Sequence, residues 1–377
     1  MSLPRLVTAH INLSNYAHNI AEIKKLLAPH TKIMSVIKAN AYGHGAVGIA
    51  KHTQQLGVDY LGVVCLYEAK ELRNAGITMP ILILNYIDPE AAFEAVNLDV
   101  SVTVIDADVV EALSKFSQKT GKKPKIHVKV DTGMHRSGVV MEQAVELIEK
   151  VAHDEHLKFE GIFTHFANAD DTDLSFARQQ LQSFTSLIES LKEKGINPPL
   201  IHAANSAATI QLPESHFTMV RPGILTYGLH PYGLNDPAAF PIPFELKSVM
   251  QLTTQVVSVR TIQAGESVGY GRAFIAERET KVALIPIGYA DGFRRGPQNF
   301  SEVLVKGQRA PLLGRVSMDQ SSIDITNISD VQVGDEVVVI GTQGAELISA
   351  EDIAAKIGSI NYEVMTSLAA RVSRIFT

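Results

Sequence analysis

Lysine, arginine, histidine and serine residues stand at the ends of short apolar runs in this 377-residue sequence. Lys38 follows IMSVI and opens KANAYGHG. Lys129 closes an apolar run and leads into VDTGMHRSG, which carries Arg136. His165 ends GIFTH, Asn205 and Ser206 lie in HAANSAA, and Arg221 follows TMV. A lysine drawn into low-dielectric surroundings gives up its proton more readily, which is what Schiff-base chemistry requires. Singly, each residue has a plainer explanation. A strand-end lysine snorkels or pairs with an acid, a lone histidine is more often structural, and a serine at a helix start is usually an N-cap. Structural ion pairs have no reason to gather on one face, so convergence of the whole set favours chemistry. A metal is not expected. His44, His127, His135, His165 and His202 lack closely spaced ligand pairs, and Asp170, Asp171 and Asp173 have no matching Gly-x-Glu loop.

Convergence requires a scaffold. Eight apolar runs, at 34–38, 60–64, 81–84, 100–104, 126–130, 161–165, 200–203 and 219–220, alternate with helical patterns such as 68–75, 109–117, 141–153 and 174–194, after an amphipathic stretch at 15–27. Eight strand-helix units over roughly 230 residues predict a TIM (β/α)8 barrel over 11–240, whose strand ends form the chemical face. Ser206 with the backbone of Gly223 and Ile224 after the last strand then occupies the usual barrel phosphate position. From about residue 241 the runs MQLTTQVVSVRTI, KVALIPIGYA, SEVLVKG and DEVVVIG alternate apolar with polar between Gly and Pro turns, predicting a mostly antiparallel β domain over 241–377. Helical patterns at 349–357 and 362–371 are expected to pack on that sheet.

Composition narrows the partners. A net charge of −6 and the lack of a Lys/Arg-rich run argue against nucleic acid and for a small molecule. Hydrophobic residues at 46% and charged residues at 20% suit a globular enzyme rather than a disordered chain. Cys65 is the only cysteine, which excludes an intrachain disulfide and fits a reducing compartment. The segment MSLPRLVTAHINLS lacks the order of a secretion signal, and no run approaches the roughly 20 apolar residues of a membrane span. A cytoplasmic protein without membrane association is expected.

The run SVIKANAYGHG resembles the cofactor-attachment motif of alanine racemases, and the similarity continues in order through KVDTGMHRSG, GIFTHFA, HAANSAA, RPGILTYGLHP, ESVGYGR, GYADG, GRVSMDQ and INYEV. The resemblance implies a barrel plus β domain in which the extreme amino-terminal strand, within residues 1–10, joins the carboxyl-terminal domain. It also implies a homodimer with active sites shared across the interface, pyridoxal 5'-phosphate as cofactor, alanine as substrate, and D-alanine supply for peptidoglycan. Carried over, Lys38 binds the cofactor covalently, while Tyr42, Ser206, Gly223, Ile224 and Tyr362 hold its phosphate. Arg221 contacts the pyridine nitrogen, and His165 bridges Arg221 to Tyr270. Arg136 meets the phenolic oxygen and the substrate carboxylate, oriented by Lys129 as amine or carbamate. The other subunit supplies Tyr270 as second base, Met318 for the carboxylate, and Tyr289 to narrow access. Ser317 stands where the family often has cysteine and Ser137 where it often has leucine; neither has a chemical role.

Racemisation removes the α-proton from one face and returns a proton to the other, so one base per face is the simplest sufficient arrangement. Lys38 and Tyr270 fill those positions. Three other readings compete. A cofactor-binding regulatory barrel is expected to lack the β domain and Tyr270, and a barrel-type decarboxylase should place an acid, not Arg221, at the pyridine nitrogen. A serine or broad-specificity racemase of the same family is the closest alternative.

Overall fold

The computed structural model describes residues 6–232, 240–296 and 298–377. The first five residues of the expected amino-terminal strand segment, and 233–239 near the end of the expected barrel, lie outside the described residues. Strand β1 (Thr8–Ile11) is followed by β2 (Lys32–Val36), β3 (Tyr60–Val63), β4 (Ile81–Tyr86), β5 (Ser101–Val104), β6 (Lys125–Asp131), the two-residue β7 (Val139–Val140), β8 (Lys158–Phe163), β9 (Leu200–His202) and β10 (Met219–Val220). Strands β2 to β6, β8, β9 and β10 pair in parallel in the order β10-β2-β3-β4-β5-β6-β8-β9, with β7 appended to β6. The ends of that order meet: Thr218 N–H donates to Ile201 O (3.1 Å) and Arg221 N–H to Ala204 O (2.9 Å), completing an eight-stranded barrel. Covered on both faces, its strands read as unbroken apolar runs, and β3 and β5 are buried throughout.

Helix boundaries follow caps rather than apolar periodicity. The helix expected at 109–117 spans Ala107–Thr120, because the Asp106 side chain accepts from Val109 N–H (3.0 Å) and Gly121 ends it at φ 72°. Helices at Ala46–Gln55 and Pro89–Asn97 fill two further connections between barrel strands. Two strands stop earlier than their apolar runs suggest, β2 at Val36 and β8 at Phe163, so Lys38 and His165 lie in the loops above the barrel.

The second sheet has ten strands and is antiparallel apart from one pairing. Strand β1 pairs antiparallel with Met250–Gln255 and parallel with Ser373–Phe376, so both ends of the chain enter this sheet. The helix expected at 362–371 is Asn361–Thr366. It stops because the following backbone turns to Asp291: Ala369 N–H donates to Asp291 O (3.2 Å), and Arg371 Nε to its carboxylate (2.7 Å). It also does more than pack on the sheet. Gly43 sits so close to Met365 O that a Cβ would lie 2.1 Å away, which seats this helix on the barrel loop after Lys38. Among the described residues no helix is long and apolar enough to cross a membrane.

Candidate active site

A cavity of about 620 Å³ opens at the carboxyl ends of the barrel strands. Lys38, Tyr42, Lys129, Arg136, His165 and Ser206 line it together with Arg221, Gly223 and Tyr362, so most of the residues singled out above meet in one place. The volume is in the range of small-molecule sites.

Lys38 begins a short helical turn in which Ala39, Asn40, Ala41 and Tyr42 all have φ between 51° and 55°. Left-handed geometry is unfavourable by roughly 1–2 kcal/mol for each residue carrying a Cβ, so four in succession need outside support. Glu68 gives it. Its carboxylate accepts Ala39 N–H (2.6 Å) and Val64 N–H (2.8 Å), tying the turn to the end of β3. The Asn40 side chain accepts Ala46 N–H (2.8 Å) at the start of the next helix. This geometry turns the Tyr42 hydroxyl toward Gly223, where a Cβ would come within 2.4 Å of it.

The cavity is rich in cations. Burial, reinforced by Arg136 and Arg221, lowers the Lys38 amine below its ordinary value, although Glu68 opposes the shift. Burial and the same two arginines push Lys129 down to about 8. Its ammonium lies 5.8 Å from the Phe163 ring centroid. Arg221 is itself buried, which lowers it to about 9, so it remains protonated at neutral pH. Its Nη1 donates to His202 Nδ1 (3.1 Å), and its Nη2 faces Thr164 O (2.8 Å), Ala203 O (3.0 Å) and His165 Nδ1 (3.1 Å). Burial and the neighbouring Arg221 hold His165 neutral, far below the usual imidazole range. An arginine has no acceptor, so His165 Nδ1 is unprotonated and Nε2 carries the hydrogen.

At the opposite wall Ser206 opens the helix Ser206–Gln211, and its hydroxyl accepts Gly223 N–H (2.9 Å). The Asn205 side chain, not Ser206, supplies the N-cap by accepting Ala208 N–H (2.9 Å). Ile224 is fully buried behind Gly223 and does not line the cavity. Tyr362 stands 6.1 Å from Tyr42 between ring centroids, and its hydroxyl donates to Pro231 O (3.4 Å).

Tyr270, Tyr289 and Met318 lie apart from this cavity, on the β domain, with exposures of 68%, 42% and 54%. Residues 314–318 hold their loops. Gly314 approaches Val268 O closely, and Tyr289 N–H and Ala290 N–H donate to Ser317 O and Met318 O.

Two family models match the sequence in the order of its domains: the alanine racemase N-terminal domain over residues 11–231 and the C-terminal domain over 249–376. The chain belongs to the alanine racemase family. It is 43% identical to the alanine racemase of Methanococcus maripaludis over 371 residues, covering 98% of each chain. The structure superposes on alanine racemase from Clostridium difficile 630 with a TM-score of 0.93 at 36% identity, covering 100% of this chain and 96% of that one. It matches the Bacillus anthracis alanine racemase with bound L-Ala-P with the same TM-score and identity, covering 100% of this chain and 96% of that one.

Within this alanine racemase fold the sequence reading missed Glu68 and the buried histidines beside Arg221. His127 had a visible signal. It lies two residues before Lys129 on β6, so strand alternation turns both side chains to one face. Glu68 gave none, because only the fold brings it beside Ala39.

Proposed function

We propose that the chain interconverts L- and D-alanine in a homodimer, with Lys38 acting on one face of the substrate and Tyr270 of a second subunit on the other. The observation that carries this reading is the division of the residues: Lys38 and its cationic neighbours line the barrel cavity, while Tyr270 is 68% exposed on the β domain of the same chain. A site assembled from two subunits reunites them. A cytoplasmic location, and D-alanine supply for peptidoglycan as the purpose, belong to the same reading.

The cavity suits pyridoxal 5'-phosphate. The Ser206 and Tyr42 hydroxyls converge at Gly223, where only a residue without Cβ fits, and so form a neutral, donor-rich pocket of the kind that takes a phosphate. When bound, the cofactor supplies an aldehyde for a covalent link to an amine and a π-system that makes the substrate α-proton removable. The protein's residues do the rest. Lys38, whose amine burial makes easier to deprotonate, would anchor the cofactor and take or return the α-proton on its own face. Arg221 would offer an N–H donor to the ring nitrogen where a carboxylate would hold that nitrogen protonated, which would limit electron withdrawal and disfavour protonation away from the α-carbon. Arg136, lining the cavity beside Lys129, offers a fork for the substrate carboxylate. His165, with Nδ1 turned to Arg221, would offer its Nε2–H to the Tyr270 oxygen of the second subunit.

Turnover of the purified protein on a panel of L-amino acids, with chiral detection of products, tests the reading. D-alanine should be the dominant product. Preferential formation of D-serine, or comparable turnover across several amino acids, would overturn the substrate assignment.

A further inference from the structure

Arg221 is a cation with 4% exposure, and among the described residues no carboxylate pairs with it directly. A buried charge without compensation is unfavourable by several kcal/mol. The compensation lies deeper in the barrel. His202 Nε2 meets His127 Nδ1 at 2.9 Å, and His127 Nε2 meets Glu160 Oε2 at 3.3 Å. His127 and His202 are fully buried and Glu160 is 6% exposed. Register makes the room: His127 stands opposite Gly161, where a Cβ would press to 2.6 Å from its Nδ1.

Donor and acceptor inventory permits one direction along this chain. Arg221 only donates, so His202 Nδ1 accepts and Nε2 carries the hydrogen. His127 Nδ1 then accepts, and its Nε2–H donates to Glu160. A second proton on either ring would set two donors against each other. Burial lowers both imidazoles, as this pattern requires, and Arg221 adds to the shift. Glu160 is the ionised terminus. Burial disfavours its charge, but donors from His127 and Ser101 outweigh it, and Lys158 Nζ lies 3.4 Å from the other oxygen.

We propose that Glu160 and His127 are positioning residues for Arg221: from the amino-terminal end of the barrel they fix His202 Nδ1 as an acceptor toward Arg221 and hold the guanidinium in one orientation at the cavity. The inference rests on the reading of Arg221 as the partner of the cofactor ring. Glu160 and His127 touch neither substrate nor cofactor, so they act through His202 alone.

The test uses the holoenzyme labelled with 15N-histidine, in which long-range proton–nitrogen correlations distinguish the two neutral tautomers from the imidazolium. In the wild type His127 and His202 should both be neutral Nε2–H tautomers from about pH 6 to about pH 9. A Nδ1–H tautomer or an imidazolium at either position overturns the chain. In Glu160→Gln, which keeps shape and removes the charge, His202 should become a tautomer mixture and kcat should fall roughly tenfold, with KM within about twofold. His127→Asn should give the same kcat loss. A purely structural role predicts lower thermal stability with an unchanged His202 tautomer and normal kcat, and that result would also overturn the proposal. Should the tautomers match while Arg221→Lys leaves kcat untouched, the assigned role of Arg221 fails, and with it the functional link of Glu160.

Discussion

The Glu68 carboxylate accepts the backbone N–H of Ala39 at 2.6 Å, the residue next to Lys38. A side chain on the helix after β3 thereby holds a left-handed turn that the local sequence would not adopt unaided. Glu68→Ala removes both acceptors that this carboxylate presents. Leaving such donors unpaired is unfavourable by about 1–3 kcal/mol, so thermal denaturation should show a Tm several degrees lower. Cofactor absorbance at limiting cofactor should fall with it. Glu68→Gln keeps one acceptor and should lie between. Equal cofactor retention in Glu68→Ala and the wild type would show that the turn holds itself.

Lys38→Ala should abolish the visible absorbance of bound cofactor in protein freed of added amines, since Lys38 is the lysine proposed to anchor it. Borohydride treatment should then fix no cofactor to the chain. A reducible linkage persisting in this variant would move the attachment to another lysine.

Lys129 makes a prediction about pH. Its folded-state value of about 8 lies below the ordinary lysine value of about 10.4, so between these limits the unfolded chain binds more protons. Stability contributed through this group therefore rises with pH across that window, and it is least where the buried amine must stay protonated, below about 8. Comparing denaturant unfolding of the wild type and Lys129→Met, the variant's advantage should shrink from about pH 7.5 to about pH 10. A carbamate at Lys129 carries the opposite charge beside Arg136. It would make the Met variant less stable at the lower pH and tie the difference to dissolved carbon dioxide.

Arg221→Glu should raise transamination relative to racemisation, because an acid at that position holds the ring nitrogen protonated. Pyruvate release per racemisation event measures the ratio. An unchanged ratio would count against the role given to Arg221.

The barrel was legible because fully covered parallel strands leave unbroken apolar runs, and all eight ranges overlap the observed strands. What failed were ends and contacts. Apolar periodicity carried β2 to Lys38 and β8 to His165, whereas the strands stop at Val36 and Phe163 and leave those side chains to loops. No pattern in KANAY announces four left-handed residues, since their geometry is imposed by Glu68 and by the helix seated against Gly43. The histidines were read for metal spacing in sequence, while their partnership with Glu160 spans β6, β8 and β9 and exists only in the closed barrel.

The sharing of the site between subunits can be tested by mixing two inactive variants. In a homodimer of Lys38→Ala both sites lack the anchor, and in one of Tyr270→Phe both lack the opposing base. A mixed dimer behaves differently under two-fold symmetry. One of its sites collects both lesions, and the other retains native Lys38 and native Tyr270. Random exchange of equal amounts makes about half the dimers mixed, each with one intact site of two, so recovered activity should approach about a quarter of wild type. The double variant mixed with either single variant assembles no intact site and provides the background. Tyr270 is exposed on its own chain and does not line that chain's cavity, so phenylalanine there should leave the fold undisturbed. If exchange is demonstrated by tagged subunits and activity stays at background, Tyr270 does not serve the neighbouring cavity, and the base on that face must be sought among the residues lining the cavity itself.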